Sequence, residues 1–297
     1  MKPGRFAYHA PRSLADVLDL LADHGGEAKV LAGGQSLIPL LNFRMAAPEH
    51  LVDINRLPGL DQPVRTDTGW HIPALARQRV VERSAELATD LPLLRTALTQ
   101  VAHPQIRNRG TVCGSLAHAD PAAELPAVMT ALRADLHIVS KRGERIVPAD
   151  DFFVFHLTTA LEEDELLMGV SIDDLAPGTA TAFREFAARH GDFALAGVAG
   201  VATRDDDGTV TACRLVAAGI GATPQRLTAA EQLVIGSRLE PRALASAERA
   251  VRQEVEPTGD VHAPAQYRRD LVGALARQVL GDISHGELPR EGRSHAA

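Results

Sequence analysis

A chain of 297 residues with a formal charge of −7 and 4 % aromatic residues lacks the basic surface and the stacking side chains that nucleic acid requires. Hydrophobic residues make up 45 % of it, enough for two cores of ordinary size. The two cysteines, Cys113 and Cys213, are too few for a disulfide framework or a private iron–sulfur cluster. Residues 1–6 carry no apolar secretory segment, and the longest weakly apolar run, 194–202, is too short to cross a bilayer. The expectation is a cytoplasmic protein without a membrane span.

In chain order, Ser13 reads as the cap of a helix over 13–22, with Leu14, Val17, Leu18 and Leu21 on one face. Gly25-Gly26 ends that helix, and Val30-Leu31 begins a strand. The strand runs into Ala32-Gly33-Gly34-Gln35-Ser36-Leu37-Ile38-Pro39, where two glycines and a hydroxyl residue precede an apolar, helix-like segment over 37–44. This is the pattern of strand, tight turn and helix start. Ser36 is placed to cap the helix, and Pro39 fits a first turn, whose amides have no intrahelical acceptor. Gly33 and Gly34 permit a sharp turn and close approach of the backbone to a ligand. The free amides and the positive end of the helix dipole then face an anion such as a phosphate. Taken alone, the motif is equally an ordinary strand–helix turn. Pro48 breaks the pattern, and 51–54 forms a short buried strand that completes a βαβ-like unit.

From 57 to 90 the chain reads as turn-rich and then helical, with a mixed-charge helix over 79–87. An amphipathic helix over 91–101 is stopped by Pro104. A second small, polar stretch follows at 107–121 and contains Thr111-Val112-Cys113-Gly114-Ser115. Asp120-Pro121 is a turn, and the next helix starts near Glu124, because Pro126 fits only a first turn. Segments 136–140 and 145–147 form a hairpin, and 166–172 one more strand. An acidic stretch ending in Pro177-Gly178 marks a boundary within 173–181. Beyond it come strands at 183–186, 196–203 and 211–216, a hairpin turn over 204–208, and helices near 229–236, 242–255 and 265–280.

The motifs AGGQSLIP at 32–39, TVCGS at 111–115 and LAHADPAAELP at 116–126, in that order, closely resemble the FAD-binding medium subunit of molybdenum hydroxylases, the carbon monoxide dehydrogenase and xanthine dehydrogenase family. The resemblance runs from Pro3 to about Gly281. It implies an α+β chain with a two-subdomain FAD-binding domain of the vanillyl-alcohol-oxidase (PCMH) type over 1–176, divided into about 1–56 and 57–176. A CO dehydrogenase flavoprotein C-terminal-like domain over 179–284 follows, and 285–297 is expected as a disordered tail. In the family the two motifs bind the FAD pyrophosphate and adjoining ribityl atoms. That role carries over to Ala32, Gly33, Gly34, Gln35, Ser36, Leu37, Ile38 and Pro39, and to Thr111, Val112, Cys113, Gly114 and Ser115. Many relatives have glycine where Cys113 stands and histidine where Gln35 stands.

Glu124-Leu125 resembles an Asp-Leu pair whose acidic residue contacts FAD, although Pro126 replaces the asparagine of those relatives. The other reading of Glu124 is a first-turn carboxylate that suits the helix dipole. Leu167 and Arg184 stand where relatives supply a backbone contact and a basic flavin-side residue. Arg189-His190-Gly191-Asp192-Phe193 resembles a segment beside the isoalloxazine, with Phe193 either shielding the ring or packed in a core. The resemblance implies partners as well: a large molybdopterin-binding subunit and a small subunit with [2Fe-2S] clusters, assembled as a dimer of heterotrimers. This chain's FAD then takes electrons from the clusters and passes them to an external acceptor. A self-sufficient FAD-dependent oxidoreductase of the same fold and a flavin-free scaffolding subunit remain alternatives. No catalytic residue is assigned, because Cys113 has no paired base in the sequence. The 12 histidines show no ligand spacing, so no metal site is expected.

Overall fold

The Ser13 hydroxyl accepts the Asp16 amide at 3.1 Å, so the first helix starts as its cap dictates and runs over Leu14–His24. A computed structural model describes residues 2–189 and 191–286. Its first unit comprises β1 (Ala7–His9), α1 (Leu14–His24), β2 (Ala28–Leu31), α2 (Leu37–Asn42) and β3 (His50–Asp53). These strands form a parallel sheet in the order β1-β3-β2, the arrangement a βαβ unit imposes. Val17 and Leu21 of α1 pack on Val52 and Ile54, and the same small core takes in Ala74, Leu75 and Leu166 from the next unit.

The second unit begins with β4 (Val64–Arg65) and β5 (Gly69–Pro73). Helices α3 (Gln78–Arg83), α4 (Ala85–Asp90), α5 (Pro92–Leu98), α6 (Pro104–Arg107), α7 (Val112–His118) and α8 (Glu124–Ala131) follow. Then come β6 (Asp135–Ser140), β7 (Gly143–Pro148), α9 (Ala149–Phe152), β8 (Phe153–Phe155), β9 (Thr158–Thr159) and β10 (Leu166–Asp173). An antiparallel sheet ordered β4-β5-β10-β6-β7 forms its floor, and β8 and β9 make a small ribbon. Leu91, Leu93, Leu94 and Leu98 are fully buried against this sheet's core, each worth about 1.5–3 kcal/mol over an exposed leucine.

The third unit is an antiparallel sheet in the order β11 (Thr179–Ala187), β12 (Ala194–Arg204), β13 (Val210–Ala218), β14 (Gln225–Arg226). Helices α10 (Thr228–Val234), α11 (Pro241–Glu254) and α12 (Ala265–His285) lie on it. Phe183, Ala199 and Val216 of this sheet also join the second unit's core. The mixed helix-and-strand class therefore matches the expectation. The apolar run at 194–202 is the strand β12, which is central and buried along most of its length.

Several local expectations change. The stretch 57–90 is not all turn and helix: Gly69–Pro73 is a buried strand, too short and too closely bracketed by glycine and proline to show a period. The helix over 79–87 is two helices, broken at Ser84, whose hydroxyl accepts the Leu87 amide at 3.2 Å and starts the second. Helix 91–101 ends at Leu98. The tail assigned to 285–297 begins too early, since α12 continues through His285, and from 287 on it lies outside the described residues. None of the described helices is long and apolar enough to cross a membrane.

One buried ion pair holds the segment ahead of α7. Arg107 Nε donates to Glu82 at 2.9 Å, and Nη1 donates to the Val101 carbonyl at 2.7 Å. Arg107→Met leaves the half-buried Glu82 with only Arg79 to answer it. The expected loss is about 3 kcal/mol, the low end of the range for a broken buried pair, read as a lower midpoint in urea unfolding.

Candidate functional site

The first motif leaves β2 and turns before α2. Gly34 has φ +74, which L side chains adopt only with strain, and Gly33 sits so near the second motif that a Cβ on it would lie 2.5 Å from the Arg109 carbonyl oxygen. Gln35 folds back, its amide nitrogen donating to the Gly33 carbonyl at 3.0 Å. Among the described residues, the amides of Gly34, Gln35 and Ser36 have no backbone acceptor. Ser36 holds the N-cap position of α2 but its side chain makes no cap bond; its backbone is in the helical region at φ −101, ψ −46, not in the extended form from which a cap hydroxyl reaches back. Leu37, Ile38 and Pro39 form the first turn of α2, where the missing Pro39 amide costs nothing.

Thr111 to Ser115 is not a loop. Thr111 Oγ1 accepts the Gly114 amide at 3.0 Å, and Val112–His118 is helical, so this motif is a capped helix start. Helices of six and seven residues carry little macrodipole, so any pull on an anion here would come from the free amides of Gly34, Gln35 and Ser36 rather than from helix ends. Cys113 is buried in the main core, its thiol directed at the Ile72 carbonyl at 3.7 Å. Burial pushes that thiol up to about 12, so the side chain packs and is no nucleophile.

A chain of hydrogen bonds joins the two motifs. Asn55 Nδ2 donates to the Ala32 carbonyl at 2.8 Å, Arg77 Nη2 donates to Asn55 Oδ1 at 2.6 Å, and Arg77 Nη1 donates to the Arg109 carbonyl at 2.5 Å. Asp53 steadies Asn55 through that residue's backbone and side-chain nitrogens at 2.9 and 2.6 Å. Burial, with Arg109 close by, lowers the Arg77 pKa from its ordinary value. Gln78 Oε1 is buried beside Gly110 and has no partner among the described residues. Free amides, two nearby guanidinium groups and a spare carboxamide oxygen fit a group that carries both a diphosphate and hydroxyls. Sequence reasoning missed Asn55, Arg77 and Gln78, which are single polar residues with no motif around them.

Glu124 opens α8 as expected. Burial pushes its carboxyl up to about 8, with Glu185 adding repulsion, and burial alone pushes Glu185 up to about 7. Glu185 Oε2 has no hydrogen-bond partner among the described residues. Leu167 lies in β10 with its side chain in the main core, one residue before a bulge that frees the Met168 carbonyl for the Ala74 amide at 2.8 Å. Arg184 is not aimed at the motifs: its guanidinium makes two bonds to Asp282 of α12, at 2.7 and 3.0 Å. Phe193 is 71 % exposed, so it is no core residue. Its turn packs on the His103 ring just before α6; His190, named in that turn, lies outside the described residues.

The glycine turn and the capped helix start, joined through Asn55 and Arg77, leave backbone amides that a dinucleotide-like group could take up. Two family models account for nearly all of it: the FAD binding domain in molybdopterin dehydrogenase matches residues 4–173, and the CO dehydrogenase flavoprotein C-terminal domain matches 181–283. The chain is 42 % identical over 296 residues to the 6-hydroxypseudooxynicotine dehydrogenase complex subunit alpha of Paenarthrobacter nicotinovorans, covering 99 % of this chain and 100 % of that one. Among solved structures, carbon monoxide dehydrogenase from Hydrogenophaga pseudoflava, in a form lacking the Mo-pyranopterin moiety of its cofactor, superposes with a TM-score of 0.92 at 36 % identity, covering 95 % of this chain and 98 % of that one. Quinoline 2-oxidoreductase from Pseudomonas putida 86 superposes with a TM-score of 0.91 at 34 % identity, covering 96 % and 98 %. The chain belongs to the FAD-binding medium subunits of the carbon monoxide dehydrogenase and xanthine dehydrogenase family.

The two raised carboxyls set a pH dependence. An ordinary glutamate titrates near 4.5, so between there and about 8 the folded chain holds more protons than the unfolded one. Their contribution is fully present below 4.5 and is lost as pH rises through 7 and 8. The melting temperature is expected to fall between about pH 5 and pH 8, and Glu124→Gln to flatten that fall. An unchanged slope in Glu124→Gln would show that the carboxyl is already ionised in the fold.

Proposed function

We propose that FAD binds with its pyrophosphate between residues 32–39 and 111–115, and that this chain is the electron-exit subunit of a molybdenum hydroxylase. In this reading a large molybdopterin-binding subunit and a small [2Fe-2S] subunit join it as a dimer of heterotrimers in the cytoplasm. Electrons arrive from the [2Fe-2S] clusters and leave to an external acceptor. FAD, when bound, supplies a redox group that accepts electrons singly and releases them in pairs. The functional units are 1–176, with subdomains 1–56 and 57–176, and 179–284.

The observation that carries the reading is the hydrogen-bonded chain Ala32–Asn55–Arg77–Arg109, which holds the two motifs face to face. Gly34, Gln35 and Ser36 offer amides to phosphate oxygens, and the Arg77 and Arg109 charges offset the diphosphate. Gln78 Oε1 accepts from a hydroxyl. Glu124 and Glu185, raised toward neutrality, can hold protons at the mouth of α8 while they remain uncharged. Nothing in the two motifs offers an accessible cysteine or a histidine for a covalent link, so the flavin is held without one.

Acid precipitation is expected to release intact FAD, and Gly34→Val and Gly114→Val to weaken its retention. Valine at Gly34 is strained at φ +74, and at Gly114 its Cβ would stand 2.6 Å from Thr111 Oγ1 and break the cap. Strain or a lost cap of 1–2 kcal/mol corresponds to roughly a tenfold loss of affinity, measured as flavin per chain after gel filtration. Normal flavin content in both variants would show that the pyrophosphate lies elsewhere.

The division of labour is tested by reconstitution. The isolated flavin-loaded chain is expected to reduce a dye only with a nicotinamide donor or a chemical reductant. Substrate-dependent dye reduction should appear once the molybdenum and iron–sulfur subunits are added. Substrate turnover by this chain alone, free of molybdenum and iron, would mark a self-sufficient flavoenzyme instead; a chain that never takes up FAD would mark a scaffold.

A further inference from the structure

Three histidines that are far apart in sequence meet at one edge of the first unit. His9 ends β1, His24 ends α1 and His50 begins β3. The topology brings them together. In the parallel sheet His50 is in register with Ala7 and with Ala28, and His24 ends the helix that leads into β2 at Ala28. His9 Nε2 lies 2.9 Å from His50 Nδ1. The His24 ring stacks on the His50 ring with centroids 3.5 Å apart and 13° between planes. One nitrogen from each ring lies within 4.8 Å of the others, and all three side chains are half-buried, reachable from solvent yet confined. Glu27 and Glu49, both exposed, each offer a carboxylate oxygen within 4.8 Å of a His50 ring nitrogen.

We propose that His9, His24 and His50 form a binding site for a divalent transition-metal ion of the Zn2+ class, separate from the flavin cradle. Imidazole nitrogens are the ligands that Zn2+, Cu2+ and Ni2+ favour, and a three-histidine set leaves one coordination position open. Tetrahedral ligation at about 2.0–2.1 Å asks for ligand nitrogens about 3.3 Å apart. The His9–His50 pair is already near that spacing, and His24, stacked on His50 with nearly parallel planes, must turn out of the stack to aim its lone pair at the same ion. His24 also stands at the C-terminal end of an 11-residue helix, where the dipole favours a cation. The carboxylates of Glu27 and Glu49 add negative charge at the rim. They supply a fourth ligand or an acceptor for the ring N–H that His50 does not use on the metal. The site ties β1, α1 and β3 together at one point, so an ion there staples the first unit. Sequence spacing hides it, because the ligands lie 15 and 26 residues apart and share no short motif.

The test uses the full-length, tag-free chain and the bare ions Zn2+ and Co2+. Calorimetry is expected to find one Zn2+ per chain, and Co2+ to give the strong visible bands of a tetrahedral nitrogen-rich site. His24→Ala and His50→Ala should each weaken Zn2+ binding by about tenfold or more, while His262→Ala, at an exposed histidine of the third unit, should not. Nitrogen NMR of the wild-type chain keeps the test independent of how the variants fold: Zn2+ should shift the ring signals of His9, His24 and His50 together. Flavin content, measured in the same samples, should stay constant, which separates this site from the flavin reading. No saturable binding by the wild-type chain, or binding that survives replacement of all three histidines, would overturn the proposal and leave a stacked imidazole cluster.

Discussion

One guanidinium decides whether this chain has a cradle at all. Arg77 donates to Asn55 on one side and to the Arg109 carbonyl on the other, and Asn55 in turn holds the Ala32 carbonyl. Without that bridge the glycine turn of the first unit, with its unpaired amides, has no fixed place against the buried helix start of the second. With it, Gly33 is pressed against the 109–110 backbone so closely that no side chain fits between them. At 2.5 and 2.6 Å both bonds are short and charge-assisted, one part-buried and the other open to solvent.

The bridge is in turn set by the cores beneath it. Asn55 follows β3, and Arg77 follows β5, whose neighbour β10 sits mid-sheet. Arg107 fixes the other side, closing the 101–107 segment through Glu82 and two carbonyls. The main core crosses from the second unit into the third through Phe183, Ala199 and Val216. Glu124 and Glu185 come from either side of that crossing and meet as two raised carboxyls. A pair of this kind is costly to bury, and such pairs concentrate where proton or charge movement is part of function.

The site also shows where positive charge is committed. Arg184, expected from the resemblance as a basic flavin-side residue, has its guanidinium bound by Asp282 and braces β11 against α12. The guanidinium that bridges the two motifs is instead that of Arg77. Phe193, by contrast, stays exposed on a turn that rests on His103, free to cover a planar ring or a partner surface.

The amino-acid sequence alone determined what depends on neighbours along the chain. The Ser13 cap, the glycine turn at 33–34, the helix start at Glu124 and the hairpin over 136–147 were all legible, because each is fixed by backbone preferences within a few residues. The two motifs also carried the family. Tertiary structure decided the rest. Gly69–Pro73 became a strand only because β4 and β10 flank it, and Ser36 makes no cap bond because its backbone is in the helical rather than the extended region. Thr111–Ser115 became a helix start, and Cys113 turned inward to the core. Asn55, Arg77 and the His9–His24–His50 cluster had no sequence signal. Their partners lie 15 to 41 residues away, and only the packing of parallel strands and helix ends brings such distant polar groups within bonding distance.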